Sequence, residues 1–133
     1  MGQIASAPTI LVVFGATGDL MARKIVPSIF HLWRHGLLPD RFRVVGFSRR
    51  DFTDEDFRDH VRAILAEKYP ASIPEEGFLD LFTYQLGTFE DPEAYLSLGK
   101  TNEAVAASWS ACANRLFYLA VPPEDYGMIL GSR

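Results

Sequence analysis

Apolar residues occupy positions 9–14 almost without interruption: Thr9, Ile10, Leu11, Val12, Val13 and Phe14. A run this short, β-branched at Ile10, Val12 and Val13, predicts a strand covered by helices on both faces. The period then changes. Ile25, Ile29, Leu32 and Trp33 recur at helical spacing, so residues 20–34 predict a helix. Pro27 falls inside it and has no N–H for the carbonyl of Arg23, so this helix should kink or restart there. Gly36 ends it, and Leu37-Leu38-Pro39 leads out.

The alternation continues. Residues 43–47 (Arg-Val-Val-Gly-Phe) predict a second strand, and Thr53-Asp54-Glu55-Asp56 reads as an N-cap followed by acids in a first turn. The helix beyond carries Phe57, Val61, Ile64 and Leu65. A loop over 70–77 leads to a short helical piece at 78–82, and residues 83–86 predict a third strand. Asp91-Pro92-Glu93 starts another helix, with Pro92 at the tolerated first position, running to about Ser108; Gly99 should break it in two. Residues 115–121 predict the fourth strand, stopped by Pro122-Pro123, and a last helix begins over 124–130.

Strands alternating with helices imply right-handed crossovers and a parallel sheet. The predicted fold is α/β, with strand order 3-2-1-4 and flanking helices. In that order strands one and four are neighbours where the winding reverses, and ligand lies beyond their C-terminal ends. Their tips are Gly15-Ala16-Thr17 and Pro122-Pro123. The fifth and sixth strands of a complete dinucleotide fold are not found, so residues 1–133 predict one incomplete nucleotide-binding domain.

The junction after the first strand holds the chemistry. Phe14-Gly15-Ala16-Thr17-Gly18-Asp19-Leu20 turns from strand to helix through a Gly-x-x-Gly. Glycine lets the backbone turn sharply and approach a pyrophosphate, while N–H groups at the helix start face the anion. A tight turn formed for geometry alone is the alternative. The third small residue of the dinucleotide fingerprint is replaced by Met21, and no Gly-Lys-Ser/Thr ending marks a P-loop. At the end of strand two stand Ser48, Arg49 and Arg50, where a carboxylate would bond ribose hydroxyls and repel a 2′-phosphate. Ser48 can donate a hydrogen bond and Arg49 can clamp phosphate oxygens, which favours NADP over NAD; ordinary solvated loop charges are the other reading.

Composition narrows the picture. The net charge of −4, with Lys and Arg scattered, leaves no footprint for nucleic acid. One cysteine, Cys112, excludes an internal disulfide and fits a reducing compartment; its alanine-rich neighbourhood reads as a small buried helix residue. His31, His35 and His60 have no zinc-like spacing, so no metal site is predicted. No segment has signal-peptide or membrane-spanning character, so a soluble, cytoplasmic protein is expected.

Four ordered motifs resemble glucose-6-phosphate dehydrogenase. They are Gly15-Ala16-Thr17-Gly18-Asp19-Leu20 with Arg23-Lys24-Ile25-Val26-Pro27, then Gly36-Leu37-Leu38-Pro39, Val45-Gly46-Phe47-Ser48-Arg49, and the run from Asn114 to Pro123. The resemblance covers essentially the whole chain and implies a Rossmann-like NADP-binding domain. The full enzyme would oxidise C1 of glucose 6-phosphate, pass hydride to NADP and release 6-phosphogluconolactone, entering the oxidative pentose phosphate pathway.

Carried over by position, Gly15, Ala16, Thr17, Gly18, Asp19, Leu20 and Met21 form the diphosphate loop. Arg49, with Ser48 beside it, faces the 2′-phosphate, and Pro122 and Tyr126 lie toward the nicotinamide. Lys24 matches a lysine reaching toward substrate, a solvated helix lysine being the plain alternative. Asp19 is expected to brace the loop or cap the helix.

The family's Glu-Lys-Pro-Phe-Gly and Arg-Ile-Asp-His-Tyr-Leu-Gly-Lys segments, the latter supplying the histidine that takes the C1 hydroxyl proton, are not in this sequence. The chain therefore reads as the coenzyme-binding part without the catalytic half, and is expected to be inactive alone. The resemblance also implies that the full-length protein is a homo-oligomer pairing through its other domain. A non-catalytic nucleotide-binding or interaction module on the same fold is the competing reading. An epimerase-like NADP enzyme is disfavoured by Met21 and by the lack of a Tyr-x-x-x-Lys pair.

Overall fold

The structure, a computed structural model, describes residues 8–70, 76–88, 90–109 and 113–120. Four strands, β1 (Thr9–Phe14), β2 (Phe42–Ser48), β3 (Phe82–Leu86) and β4 (Asn114–Leu119), form one sheet in the order β3-β2-β1-β4. Every pairing is parallel, with Val12 opposite Val45 on one side and Phe117 on the other. The α/β order anticipated from the sequence is therefore present, and all four C-terminal strand ends lie along the same edge. Strand bounds differ slightly: β3 begins at Phe82 and β4 at Asn114, each one residue earlier than the pattern suggests.

Alternation along β1 and β2 divides the core into two layers. Val13 and Val44 face helices α1 (Val26–Arg34), α2 (Asp54–Lys68) and α3 (Glu76–Leu79), where Phe30, Phe57, Val61, Leu65, Phe78 and Phe82 are all buried. Ile10, Val12, Phe14, Val45 and Phe47 face α4 (Pro92–Ser108), through Ala94, Leu98 and Val105. Each such large side chain withdrawn from water contributes roughly 1.5–3 kcal/mol, which makes the two central strands the anchor of the domain. β4 differs: Leu116, Phe117 and Tyr118 remain 55%, 47% and 42% exposed. Its apolar composition is that of a central strand, but among the described residues little covers it.

The helices report how local sequence and backbone chemistry interact. A π-helical turn, Met21–Ile25, precedes α1, and the Val26 N–H donates to the Met21 carbonyl five residues back. Pro27 is the cause: it offers no N–H to the Arg23 carbonyl, and the wider turn shifts the hydrogen-bond ladder past it. The predicted restart at Pro27 is thus a π turn rather than a break. α1 ends at Gly36 in a Schellman motif, Leu37 N–H to Leu32 O at 2.9 Å and Gly36 N–H to Trp33 O at 3.1 Å. Thr53 and Asp56 form a reciprocal capping box on α2. α4 is one unbroken 17-residue helix, correcting the expectation of a break at Gly99. Gly99 is exposed with open space around it, and the ~1 kcal/mol cost of a helical glycine is too small to divide a helix packed along its length. The short helix α3 lies slightly ahead of the predicted 78–82 piece, since Phe82 is drawn into β3.

Candidate nucleotide-binding site

The Gly15–Gly18 turn leaves the C-terminal end of β1 and is held in shape by three backbone hydrogen bonds. Gly15 adopts φ of 82°, a left-handed conformation that favours glycine. The Gly15 and Ala16 N–H groups both donate to the Phe47 carbonyl, at 2.9 and 3.3 Å, and the Gly18 N–H closes back on Gly15 O at 3.0 Å. The turn is therefore clasped to the end of β2. It also lies against the end of β4, where the Ala120 N–H donates to Phe14 O at 2.9 Å and a Cβ placed on Gly18 would sit 3.9 Å from Ala120 O. A helix starts directly after, and first-turn N–H groups have no intrahelical carbonyl to meet. Helix N-termini of this kind, set at the C-terminal end of a strand, are suited to an anionic ligand.

Packing beneath the turn explains two further residues. Gly46 of β2 faces Ala16 and Phe57 so closely that a Cβ there would fall 2.8 Å and 2.6 Å from them. Met21, which departs from the small-residue pattern, is fully buried in the layer with Ala16, Ile25 and Val26; its unbranched side chain fills the core, leaving only its backbone available to a ligand. Leu20 packs partly against the same layer. Asp19 pairs with Arg23 one helical turn on, at 2.7 Å, with both side chains largely exposed. It braces the first turn, and so exposed a pair contributes little stability.

The second wall is the turn after β2. Ser48 is buried, and its hydroxyl is already engaged, with Thr17 Oγ1 at 2.8 Å and with the Arg50 N–H, which donates to it at 3.2 Å. Ser48 therefore ties this turn to the glycine turn. The two neighbouring arginines separate: the Arg50 guanidinium lies over the Phe52 ring at 5.1 Å, whereas Arg49 is exposed and makes no hydrogen bond or ion pair among the described residues. A free guanidinium one residue beyond a buried hydroxyl, at the tip of β2, has the charge and fork geometry for a phosphate.

Sequence reading alone missed a third contributor, Tyr84 on β3. Its hydroxyl donates to Arg50 O at 2.8 Å, and its N–H donates to Asp54 Oδ1 at 2.8 Å. Burial pushes this phenol above its ordinary range, opposed by its hydrogen bonds to Ser48 and Arg50, so it stays protonated and remains a donor. Nearby His60 is lowered from 6.5, first by burial and then by the Arg50 charge, and its Nε2 is buried with no hydrogen-bond partner among the described residues. Only the β2–β3 pairing, which sets Tyr84 beside Gly46, brings Tyr84 to this turn; no local signal could have found it.

Lys24 is exposed and unpaired among the described residues, in an open cleft of about 370 Å³ that it shares with Arg23, Pro27, Ser28, His31 and Leu32. Pro122 and Tyr126 lie outside the described residues, as do Cys112 and the helix expected over 124–130. No group of three or more His, Cys, Asp or Glu side chains is placed to hold a metal among the described residues. No helix among them is long and apolar enough to cross a membrane.

Comparison with known proteins agrees with this geometry. The family described as "Glucose-6-phosphate dehydrogenase, NAD binding domain" matches residues 12–132. Glucose-6-phosphate 1-dehydrogenase of Chlamydia pneumoniae is 37% identical over 126 residues, covering 92% of this chain and 25% of the relative. The Leuconostoc mesenteroides enzyme of the same name is 32% identical over 127 residues, covering 96% and 26%. Among solved structures, a glucose-6-phosphate dehydrogenase in complex with its substrate glucose 6-phosphate superposes with a TM-score of 0.85 at 31% identity, covering 99% of this chain and 28% of the other. The chain thus spans about a quarter of the length of the curated relatives it matches. With a match from 12 to 132, a clasped glycine turn and a 3-2-1-4 parallel sheet, this chain belongs to the glucose-6-phosphate dehydrogenase family, within its NAD-binding domain.

Proposed function

We propose that the chain is the NADP-binding part of an enzyme that oxidises glucose 6-phosphate to 6-phosphogluconolactone. The observation that carries the cofactor choice is the tip of β2, where Arg49 is exposed and, among the described residues, unpaired directly after the buried Ser48. The residues fit a dinucleotide. The turn Gly15-Ala16-Thr17-Gly18 and the first-turn N–H groups of Asp19, Leu20 and Met21 would hold the diphosphate, and Arg49 would hold the 2′-phosphate. Ser48 acts through Thr17 and the Arg50 amide. Pro122 and Tyr126 are assigned to the nicotinamide side on family resemblance. When bound, the nicotinamide supplies hydride acceptance from C1 of the sugar.

Lys24 fits the substrate side, since a free ammonium in a cleft with Arg23, Ser28 and His31 suits a phosphorylated sugar. The family relationship and the relative seen with glucose 6-phosphate support this substrate. Proton removal from the C1 hydroxyl and most of the sugar-phosphate site are assigned to parts of the enzyme outside these 133 residues. The full-length protein is proposed to act as a homo-oligomer.

Titration with NADP and NAD tests the cofactor choice. NADP should bind more tightly, and Arg49→Ala should remove most of the difference, about 1.5–3 kcal/mol for a charge-assisted hydrogen-bond clamp. Equal affinities in the unsubstituted chain would refute the assignment. The isolated chain should not reduce NADP with glucose 6-phosphate, and a preparation free of host enzyme that did so would place the proton acceptor within these residues.

A further inference from the structure

We propose that the Tyr84 hydroxyl is a positioning group for cofactor discrimination, holding the turn that presents Arg49 to the 2′-phosphate. The inference rests on the reading of Arg49 given above. The Arg50 backbone is fixed on both sides: its N–H donates to Ser48 Oγ at 3.2 Å, and its carbonyl accepts from the Phe52 N–H at 2.9 Å and from Tyr84 Oη at 2.8 Å. Arg50 itself is drawn over Phe52, so the turn offers one arginine outward instead of two mobile ones. Arg49 has no hydrogen bond, ion pair or ring contact of its own to orient it among the described residues, and its direction is inherited from the backbone on either side. Ser48 anchors the near end, and Tyr84 reaches from the neighbouring strand to anchor the far end.

Tyr84 is itself well held. Its N–H donates to Asp54 Oδ1, and its ring packs 5.6 Å from Phe52 and 5.3 Å from Phe57. The hydroxyl is thus a fixed point on the sheet, delivered to a turn more than thirty residues earlier in the chain. Fixing the turn before ligand arrives removes an ordering cost that binding would otherwise bear. That cost falls on the 2′-phosphate contact, because the diphosphate turn, though it shares the Ser48–Thr17 tie, is held by its own backbone bonds to Phe47. The consequence is selective: loss of the hydroxyl should weaken NADP and spare NAD.

Tyr84→Phe keeps the ring and removes only the donor. NMR-monitored titrations of the chain with NADP and with NAD should show NADP binding weakened about three- to tenfold, the value of one hydrogen bond, with NAD unchanged. The Arg50 amide should also exchange faster with solvent. In an Arg49→Ala background, Tyr84→Phe should have no further effect on NADP, since the group it positions is gone. Equal loss of both nucleotides would make Tyr84 merely structural and overturn the proposal, as would unchanged NADP affinity or an unchanged Arg50 amide. If the unsubstituted chain binds NADP no more tightly than NAD, the Arg49 reading fails and this one with it. If that preference is present and survives Tyr84→Phe, only this one fails.

Discussion

Gly46→Ala tests whether the glycine turn depends on close backbone packing beneath it. Gly46 lies in β2 between Val13 and Tyr84, and the added methyl would stand 2.6 Å from Phe57 Cζ and 2.8 Å from Ala16 Cβ. Carbon atoms rest at about 3.5–4.0 Å, so both contacts overlap by roughly 1 Å. Neither neighbour yields easily. Phe57 is fully buried with Phe82 and Tyr84 at 6.0 and 5.3 Å, and Ala16 cannot move without moving the turn. Overpacking of this kind costs about 1–3 kcal/mol, and a smaller gain of about 0.4–1 kcal/mol from stiffening the unfolded chain offsets part of it. The net expectation is a loss of about 1–2 kcal/mol. Urea denaturation should show a lower midpoint at unchanged slope. Phe57→Leu removes the Cζ atom, so combining the two changes should recover at least about 0.5 kcal/mol relative to additivity. A Gly46→Ala chain as stable as the parent, or strictly additive substitutions, would refute the packing argument.

Two further outcomes follow from the same turn and from the helix that flanks it. His60 is held neutral in the fold, below its unfolded value of 6.5, so its contribution is complete above that value. It is lost as pH falls below 6.5, where the unfolded chain takes up a proton that the native imidazole refuses, and it levels off below the folded pKa. Urea midpoints measured between about pH 8 and pH 5 should decline less steeply in His60→Leu than in the parent; identical slopes would show that His60 is not the group responsible. Thr53→Ala removes the hydroxyl that accepts from the Asp56 N–H, one half of the capping box on α2, and should cost about 1 kcal/mol. Because α2 carries Asp54, which holds the Tyr84 N–H, the Arg50 amide should also exchange faster in this variant.

The sequence by itself determined the elements, their parallel order and the residues that turn β1 into a helix. These are local or periodic matters: a short β-branched apolar run favours a strand, Gly15 permits a backbone others resist, Pro27 forbids one hydrogen bond, and Thr53 with Asp56 closes a cap. Where local rules conflicted with packing, packing won. Gly99 remained helical because α4 is secured by Ala94, Leu98 and Val105 against the sheet. β4, apolar enough for a central strand, is half exposed among the described residues, because burial depends on what lies over a strand and not on its composition. The division of labour at the site was likewise tertiary. Ser48 became a tie to Thr17, and Tyr84 arrived beside Arg50 from β3. Residues more than thirty positions apart meet only when the strands pair, and their roles follow from distances that no local pattern encodes.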